Sequence, residues 1–308
     1  MKKVIVIVGP TASGKTALSV ELAHRLGGEI VSSDSMQIYK ELSIGTAKPD
    51  LAERRGIPHH MMDVVSVQES YSVSRYETEA AACVEDIFAR GKQPIVVGGT
   101  GLYTDALIRG TGFLDCDDSG VTRARMEQQW ESDGPESIME RLRQVDPDSA
   151  ERLHIHDKKR VIRALEVYLL TGKTITAHNL ETQQKPPRYE SIFIGICPAD
   201  RAVLYERIDR RVEIMMEQGL LQEVQALVER GLMVGTAAQA IGYKELFGYL
   251  RGEATLEESI ALIQQKSRNY AKRQLTWFNK DPRIHWIRYE KGAELDQLAN
   301  IATSFLRP

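Results

Sequence analysis

The chain has 308 residues, of which 42% are hydrophobic and 27% charged, enough for one large globular domain or two unequal ones. A formal net charge of −3 does not indicate nucleic-acid binding through overall charge, so such a role would need local basic patches. Three widely spaced cysteines (Cys83, Cys116 and Cys197) indicate neither a disulfide framework nor a zinc site. The sequence shows no signal peptide and no apolar stretch of membrane length, so we expect a cytoplasmic protein.

The first predicted elements surround a phosphate-binding motif. Residues 4–8 form an apolar run typical of a buried parallel strand, and residues 17–23 have helical spacing. The motif between them, G-x-x-x-x-G-K-T, consists of Gly9, Pro10, Thr11, Ala12, Ser13, Gly14, Lys15 and Thr16. Its glycines let successive N–H groups point at an anion, Lys15 supplies a cation, and the Thr16 hydroxyl can ligate Mg²⁺. The sequence therefore predicts a site for a di- or triphosphate.

Strands and helices alternate along the rest of the chain. Apolar runs at residues 29–33, 61–65, 94–97 and 191–197 predict strands, as does 283–287 at an edge. Helical spacing predicts helices at residues 74–90 and 201–218, and a capping box at Thr255 begins a helix toward Phe278. This alternation predicts an α/β fold, a P-loop NTPase-like doubly wound parallel sheet.

The region between the last two buried strands is different. Charged amphipathic segments at residues 121–132, 136–145 and 158–170 predict helices, with no convincing strand among them. We therefore predict a helical insertion domain at residues 114–185. Residues 1–113 and 186–308 would then form the P-loop core domain, with a helical C-terminal part.

Asp34 follows the second predicted strand. The carboxyl ends of parallel strands open on the P-loop side of a sheet, so we expect Asp34 to face the bound phosphates. A carboxylate there can hold Mg²⁺ or act as a general base, and the alternative is a helix N-cap.

The turn at residues 98–101, Gly-Gly-Thr-Gly, also follows a predicted strand. Its glycines permit close approach of a ligand, and the Thr100 hydroxyl can donate or accept a hydrogen bond. A purely structural turn is an equal alternative.

Two regions concentrate positive charge. In the insertion, Arg123 and Arg125 lie at the start, and a second basic group begins the last predicted helix. That second group is Lys158, Lys159, Arg160 and Arg163. Such an insertion can act as a lid that brings arginine to phosphates, and the alternative is a solvated face.

The second region, residues 266–288, carries seven Lys or Arg residues against one acidic residue, with aromatic residues between them. This pattern suits single-stranded nucleic acid, and the alternative is an amphipathic helix with core aromatics.

Two histidine pairs lack the partners of a metal site. His59 and His60 lie near Asp63, and His154 lies near His156, but no further ligands occur at useful spacing. We interpret all four histidines as structural or surface residues.

Six segments together resemble a known family. They are residues 9–16, 33–39 (SDSMQIY), 97–103 (VGGTGLY), 159–167 (KRVIRALEV), 240–245 (AIGYKE) and 271–278 (AKRQLTWF). The chain resembles the tRNA dimethylallyltransferases, also called tRNA isopentenyltransferases, over nearly its whole length. It lacks the C-terminal zinc finger that eukaryotic relatives often carry, which favours a compact bacterial-type enzyme.

The resemblance implies a reaction and its participants. A dimethylallyl group would pass from dimethylallyl diphosphate to N6 of adenosine 37 in tRNA, with release of diphosphate. It implies Asp34 as the general base, Thr100 near the reacting adenine and Arg123 as a cation at the leaving group. We expect Mg²⁺ on Thr16, a monomer, no membrane partner, and two substrates, dimethylallyl diphosphate and the tRNA anticodon stem-loop.

The tRNA contacts are expected on three segments. Adenosine 37 must leave its stack to react, and the Gln37 amide can read an adenine edge. Basic residues would hold the RNA through its phosphates. The predicted contact residues are Asp34, Ser35, Met36, Gln37, Lys158, Lys159, Arg160, Val161, Ile162, Arg163, Lys272 and Arg273.

Three other functions use some of the same features. A small-molecule kinase would explain the P-loop and Asp34 but leaves the basic C-terminal stretch without a role. A prenyltransferase acting on free adenine nucleotides needs no basic RNA surface. A non-catalytic RNA-binding protein with a nucleotide-gated P-loop would bind RNA without any chemistry.

Overall fold

Runs rich in β-branched residues form the central strands of a parallel sheet. The computed structural model describes residues 3–113 and 120–306. Within them the strands are β1 (Lys3–Val8), β2 (Gly28–Ser32), β3 (His59–His60), β4 (Gln93–Gly98), β5 (Glu190–Pro198) and β6 (Ile284–Tyr289). All neighbours pair in parallel, in the order β3-β2-β4-β1-β5-β6. The predicted α/β fold with a doubly wound parallel sheet is confirmed.

Helices connect these strands and form the insertion. Their bounds are α1 (Lys15–Leu26), α2 (Leu51–Arg54), α3 (Val73–Ala89), α4 (Gly101–Arg109), α5 (Val121–Val145), α6 (Pro147–Arg152), α7 (Lys158–Thr171), α8 (Ile175–Gln184), α9 (Arg201–Glu217), α10 (Leu220–Glu229), α11 (Phe247–Leu250), α12 (Leu256–Phe278) and α13 (Leu295–Ser304). The predicted capping box begins α12, since Thr255 and Glu258 each accept a hydrogen bond from the other's backbone N–H. In the described part of the chain, no helix combines the length and apolarity that crossing a membrane requires.

The two faces of β1 belong to two different parts of the core. Successive side chains of a strand point to opposite faces, so Val4, Val6 and Val8 pack in one cluster while Ile5 and Ile7 pack in another. All five side chains are buried. A strand covered on both faces reads as a continuous apolar run, which is why β1 is predictable from sequence.

The prediction of a strand at residues 61–65 is wrong. The strand is His59–His60, where His59 pairs with Ile30 of β2. Met61 and Asp63 have φ values of 62° and 56°, which an extended strand does not allow. Met61 and Val65 are buried, so the apolar run reflects core packing in a bent segment.

The described residues divide into two units by their contacts. One unit, Met1–Gly110 with Arg188–Pro308, contains the sheet, and the other, Thr111–Pro187, contains α5 to α8. The second unit has its own apolar core, built from α5, α7 and their neighbours. Within α5, Gly134 has a non-helical φ of 82° and Pro135 follows it, so the helix bends where the sequence predicts two separate helices.

Candidate active site

The loop between β1 and α1 turns the backbone through left-handed conformations. Ala12 and Gly14 have φ values of 61° and 94°, and Gly9 has a φ of 149°. A Cβ atom at Gly9 would lie 2.3 Å from the carbonyl oxygen of Ile196, so only glycine fits there. The strand, loop and helix occur in the order that the phosphate-binding motif requires.

Lys15 is the first residue of α1, and its amine lies inside the loop. The Nζ atom donates hydrogen bonds to the carbonyl oxygens of Gly9 at 3.0 Å and Pro10 at 2.7 Å. Burial and the nearby Arg211 lower the pKa of the Lys15 amine to about 7, although the Asp34 carboxylate acts in the opposite direction. An incoming anion would stabilise the charged form of this amine.

Two arginines of α9 hold the same loop. Arg207 Nε donates to the carbonyl oxygen of Ala12 at 2.8 Å, and Arg211 Nη1 donates to Thr11 Oγ1 at 3.4 Å. Burial lowers the pKa of the Arg211 guanidinium. Sequence reasoning missed both residues, because α9 is predicted from its apolar positions alone. Their spacing of four residues, which places both on one helix face, is the signal that could have found them.

Asp34 lies just beyond β2 and lines the same cavity as the loop. Its Oδ1 atom accepts hydrogen bonds from the backbone N–H groups of Met36 at 2.9 Å and Gln37 at 3.3 Å. Asp34 therefore caps a turn and not a helix. Both of these bonds fall on Oδ1, which leaves Oδ2 for a further partner.

Gln37 is engaged by the protein itself. Its Nε2 atom donates to the carbonyl oxygens of Thr46 at 3.2 Å and Ala47 at 3.3 Å, and Ser32 Oγ donates to its Oε1 at 3.3 Å. In this structure the amide fixes a neighbouring loop, so presenting it to an adenine would require these bonds to break. Met36 is partly buried against the core.

Thr100 connects the ends of β2 and β4. Its Oγ1 atom accepts from the Ser35 N–H at 3.3 Å and donates to Ser35 Oγ at 3.4 Å. Around it, a Cβ atom at Gly98 would lie 2.2 Å from a Ser33 side-chain oxygen, and one at Gly101 would lie 2.2 Å from the Trp277 indole nitrogen. These two glycines are thus required by packing within the protein, as the structural interpretation of the turn predicts.

Gln274 of α12 links the phosphate-binding loop to the turn after β4. Its Oε1 atom accepts from the Thr11 N–H at 2.8 Å, and its Nε2 atom donates to the Gly99 carbonyl oxygen at 3.0 Å. Tyr270, one turn earlier on α12, lines the same cavity, and burial raises the pKa of its phenol to about 12. Sequence reasoning did not assign a role to either side chain, although Gln274 lies within the segment 271–278 that carries the resemblance.

These elements enclose a cavity of about 1120 Å³ within the sheet-containing unit. Its lining combines the cations of Lys15 and Arg211 with the Asp34 carboxylate and with apolar side chains such as Ile44 and Met62. A cationic loop beside an apolar wall suits a ligand with an anionic head and a short hydrocarbon.

Most of the predicted basic residues of the insertion form ion pairs within their own unit. Arg123 and Arg163 both donate to Glu166 Oε2, at 2.7 Å and 2.6 Å. Lys158 pairs with Glu131, and Arg160 Nε lies 3.5 Å from Asp157 Oδ2, while Lys159 is exposed. This arrangement balances much of the positive charge that the sequence places there.

Val161 and Ile162 belong to the core of the insertion. Their side chains are 0% and 2% exposed and pack with Met126 and Leu142. Burial of these apolar side chains does not support the prediction that they contact tRNA; in α7 they stabilise the helix that presents the basic residues.

The basic stretch on α12 is partly exposed. Lys272 and Arg273 lie on the surface, with their cationic groups 5.9 Å and 5.6 Å from the ring centres of Tyr205 and Tyr270. Among the interleaved aromatics, Phe278 is buried in the core and Trp277 is 48% exposed. Burial of Phe278 agrees with the core interpretation of this stretch, whereas the nucleic-acid interpretation of the exposed Lys272 and Arg273 stays a prediction.

The histidines and cysteines have structural surroundings. His60 Nε2 lies 2.8 Å from Glu29 Oε2, and His59 Nδ1 lies 2.8 Å from the Ile57 carbonyl oxygen. Across the described ranges, no three His, Cys, Asp or Glu side chains are grouped as a metal site would need. Cys83 is half-buried and Cys197 buried, both as free thiols, and Cys116 lies outside the described residues.

Similar proteins align with this chain over nearly its whole length. The tRNA dimethylallyltransferase of Acetivibrio thermocellus is 48% identical over 288 residues, covering 93% of this chain and 92% of that protein. The tRNA dimethylallyltransferase of Carboxydothermus hydrogenoformans is 45% identical, covering 95% of this chain and 93% of the relative.

Solved structures show the same likeness. The crystal structure of a tRNA delta(2)-isopentenylpyrophosphate transferase from Staphylococcus epidermidis matches with a TM-score of 0.72 at 39% identity, over 99% of both chains. Crystallographic snapshots of a eukaryotic dimethylallyltransferase acting on tRNA match with a TM-score of 0.85 at 35% identity, over 100% of this chain and 81% of that one. The model of the IPP transferase family matches residues 37–281, and on this match and these relatives the chain belongs to the IPP transferase family.

Proposed function

We propose that this chain transfers a dimethylallyl group from dimethylallyl diphosphate to N6 of adenosine 37 in tRNA and releases diphosphate. The observation that carries the proposal is a single cavity that is lined both by the loop of the phosphate-binding motif and by the Asp34 carboxylate. The chain with this cavity belongs to the IPP transferase family. The names of the relatives support the transferase reaction, and the eukaryotic structure was determined acting on tRNA.

The phosphate-binding loop suits the leaving group of this reaction. The bond between the allylic carbon and the diphosphate oxygen breaks, and negative charge develops on the diphosphate. In the proposed mechanism, amides of the loop, the Lys15 amine and the guanidinium groups of Arg207 and Arg211 around it stabilise that charge. Their positions are set by the protein before substrate arrives, so little reorganisation is needed.

Asp34 suits the role of general base. The adenine amino group is a weak nucleophile because its lone pair is delocalised into the ring. As N6 bonds to the allylic carbon, which has gained cationic character, N6 must lose one proton. Oδ2 of Asp34 accepts that proton in the proposed mechanism, while Oδ1 keeps the carboxylate oriented through the amides of Met36 and Gln37.

The donors beside the loop fit Mg²⁺. The Thr16 hydroxyl and the Asp34 carboxylate line the same cavity, and Mg²⁺ binds through few protein oxygens together with substrate phosphates and waters. We propose Thr16 as its ligand from this chain. When bound, the ion would neutralise charge on the diphosphate.

The RNA would be held by exposed cations and would present an extruded base. Lys272 and Arg273 are exposed on α12, the helix that also carries Gln274 into the site. Phosphate contacts of this kind position RNA, and adenosine 37 must flip out of its stack to reach the cavity. We also propose that Arg123 supplies a further cation at the leaving group and that the protein is a monomer.

Transfer of label tests the reaction directly. The protein is incubated with Mg²⁺, radiolabelled dimethylallyl diphosphate and an unmodified anticodon stem-loop carrying A37. We expect label in the RNA, and none in a matched RNA carrying guanosine at position 37. Label entering AMP would indicate a nucleotide prenyltransferase, consumption of ATP with a small acceptor would indicate a kinase, and RNA binding without chemistry would indicate a binding protein.

Asp34→Asn tests the base. The amide oxygen of asparagine still accepts from the N–H groups of Met36 and Gln37, so the turn is kept while the proton acceptor is lost. We expect the transfer rate to fall about 100- to 10,000-fold with unchanged RNA affinity. Rates are measured in single turnover, and transfer at the wild-type rate would remove Asp34 as the base.

A further inference from the structure

The segment 240–245, part of the family resemblance, has no role in the reaction described above. Its Tyr243 side chain is fully buried and donates a hydrogen bond from its hydroxyl to Glu223 Oε1 at 2.5 Å. Gly242 has a φ of 96°, and its N–H donates to Glu245 Oε2 at 2.9 Å, which fixes the turn that carries Tyr243.

Glu223, in the first turn of α10, binds a row of backbone amides. Its carboxylate accepts from the N–H groups of Ser43 at 3.3 Å, Ile44 at 3.0 Å and Gly45 at 3.4 Å. Successive N–H groups converging in this way form a concave anion site, which here is filled by a carboxylate of the protein. A Cβ atom at Gly45 would lie 2.3 Å from the Tyr243 ring, so glycine lets the tyrosine close against the backbone.

Residues 43–48, which we call the amide loop, form part of the wall of the catalytic cavity. Ile44, Ala47 and Lys48 line that cavity. The amide loop also accepts the two hydrogen bonds of the Gln37 amide, at Thr46 and Ala47. The Gln37 N–H in turn donates to Asp34 Oδ1. An unbroken series of contacts therefore runs from Glu223 through the amide loop and Gln37 to the proposed base.

We propose that Glu223 and Tyr243 are positioning residues for the transfer reaction, acting by holding the amide loop against Gln37 and Asp34. The proposal rests on the proposed function, because it assigns these residues to that same site. Hydrogen bonds to an ionised carboxylate are roughly twice as strong as neutral ones, so a single side chain can order several residues of loop. Small displacements of reacting groups are costly to rate, which connects this order to catalysis.

Two variants and one control test the proposal. Glu223→Gln turns an NH₂ group toward amides that need an acceptor, and Tyr243→Phe removes only the hydroxyl donor. Glu229→Gln, exposed at the end of the same helix, makes the same charge change away from the loop. We expect kcat for transfer to fall about 10- to 100-fold in Glu223→Gln and less in Tyr243→Phe, with RNA affinity unchanged. Amide hydrogen exchange at residues 43–47 should accelerate in both variants and not in the control.

The outcomes separate a positioning role from a structural one. If both variants lower only the melting temperature, with kcat and KM equal to those of Glu229→Gln, Glu223 and Tyr243 stabilise the fold and the proposal is overturned. If Glu223→Gln does not fold, Tyr243→Phe alone decides by the same comparison. Failure of the wild-type chain to label RNA would overturn the proposed function itself, a result distinct from loss of rate in the variants.

Discussion

The surroundings of the Lys15 amine suit the binding of an anion. The Lys15 amine donates hydrogen bonds to two carbonyl oxygens of its own loop, and burial together with Arg211 lowers its pKa to about 7. The sequence motif predicts a cation at this position but not its environment. Desolvation depends on the helices and strands that cover the loop, so it follows only from the folded structure.

The lowered pKa predicts that diphosphate binding depends on pH. Below pH 7 the Lys15 amine is mostly protonated, and above pH 7 the free protein loses this proton. A bound diphosphate favours the ammonium form, so binding above pH 7 must take up a proton and affinity must decrease as pH rises.

Calorimetry at pH 8, in two buffers of different ionisation enthalpy, measures this uptake for inorganic diphosphate. Lys15→Arg is the control, because arginine stays protonated at this pH and should show little uptake. Equal uptake by the variant would mean that another group titrates.

The orientation of the Asp34 carboxylate is also set by the local structure around one residue. The sequence predicts a carboxylate at the carboxyl end of β2, and the structure places it in the cavity with the phosphate-binding loop. Which of its two oxygens remains available is decided by the local turn, since the amides of Met36 and Gln37 both take Oδ1. A base needs this orientation as much as it needs the carboxylate.

At the scale of elements, α12 joins parts of the site that are distant in sequence. Gln274 is 5% exposed and bridges the loop after β1 to the turn after β4. The amide group has a donor and an acceptor on one planar unit, so it can satisfy both backbone groups at once. The helix thereby fixes the distance between the loop of the phosphate-binding motif and the turn at Thr100.

Removing this bridge should weaken the fold and the site together. Gln274→Met keeps the length of the side chain but leaves a buried carbonyl oxygen of Gly99 without its donor. We expect the free energy of unfolding to decrease by about 2 kcal/mol, with weaker diphosphate binding. Urea denaturation measures the first effect, and Gln265→Met, exposed on the same helix, is the control. Equal stability of the two variants would show that the bridge contributes nothing.

At the scale of the whole molecule, charge is distributed unevenly in a chain with a net charge of −3. In the insertion, acidic side chains such as Glu131 and Glu166 pair with the basic residues. On α12, Lys272 and Arg273 are exposed and lie over aromatic rings. An acidic protein can thus present a local cationic surface to RNA.

Salt dependence tests that surface. Lys272→Glu combined with Arg273→Glu should weaken binding of the anticodon stem-loop and lower the slope of log affinity against log salt by about 1.5, since each phosphate contact releases counterions. Lys40→Glu with Arg230→Glu, also exposed, makes an equal charge change elsewhere. Filter binding over a salt series measures both slopes. An equal change in the control would mean that overall charge, and not this surface, governs binding.

The sequence by itself determined the features that depend on neighbours along the chain. Apolar runs predict β1, β4 and β5, helical spacing predicts α3 and α9, a capping box predicts the start of α12, and the phosphate-binding motif lies within one strand, loop and helix. These elements can be predicted because side-chain periodicity, helix caps and glycine backbone conformations depend on residues that are close together in the sequence. Where the apolar run at residues 61–65 belongs to a bent core segment, the same reasoning fails.

Only the tertiary structure decided which distant side chains complete the site. Thr11 and Gln274 are 263 residues apart in sequence, and Glu223 lies about 180 residues beyond the amides that it binds. It also decided that Val161 and Ile162 face a core and that Arg207 and Arg211 reach the loop. Such contacts depend on how the elements pack, and a pattern along one segment carries no information about the segment that packs against it.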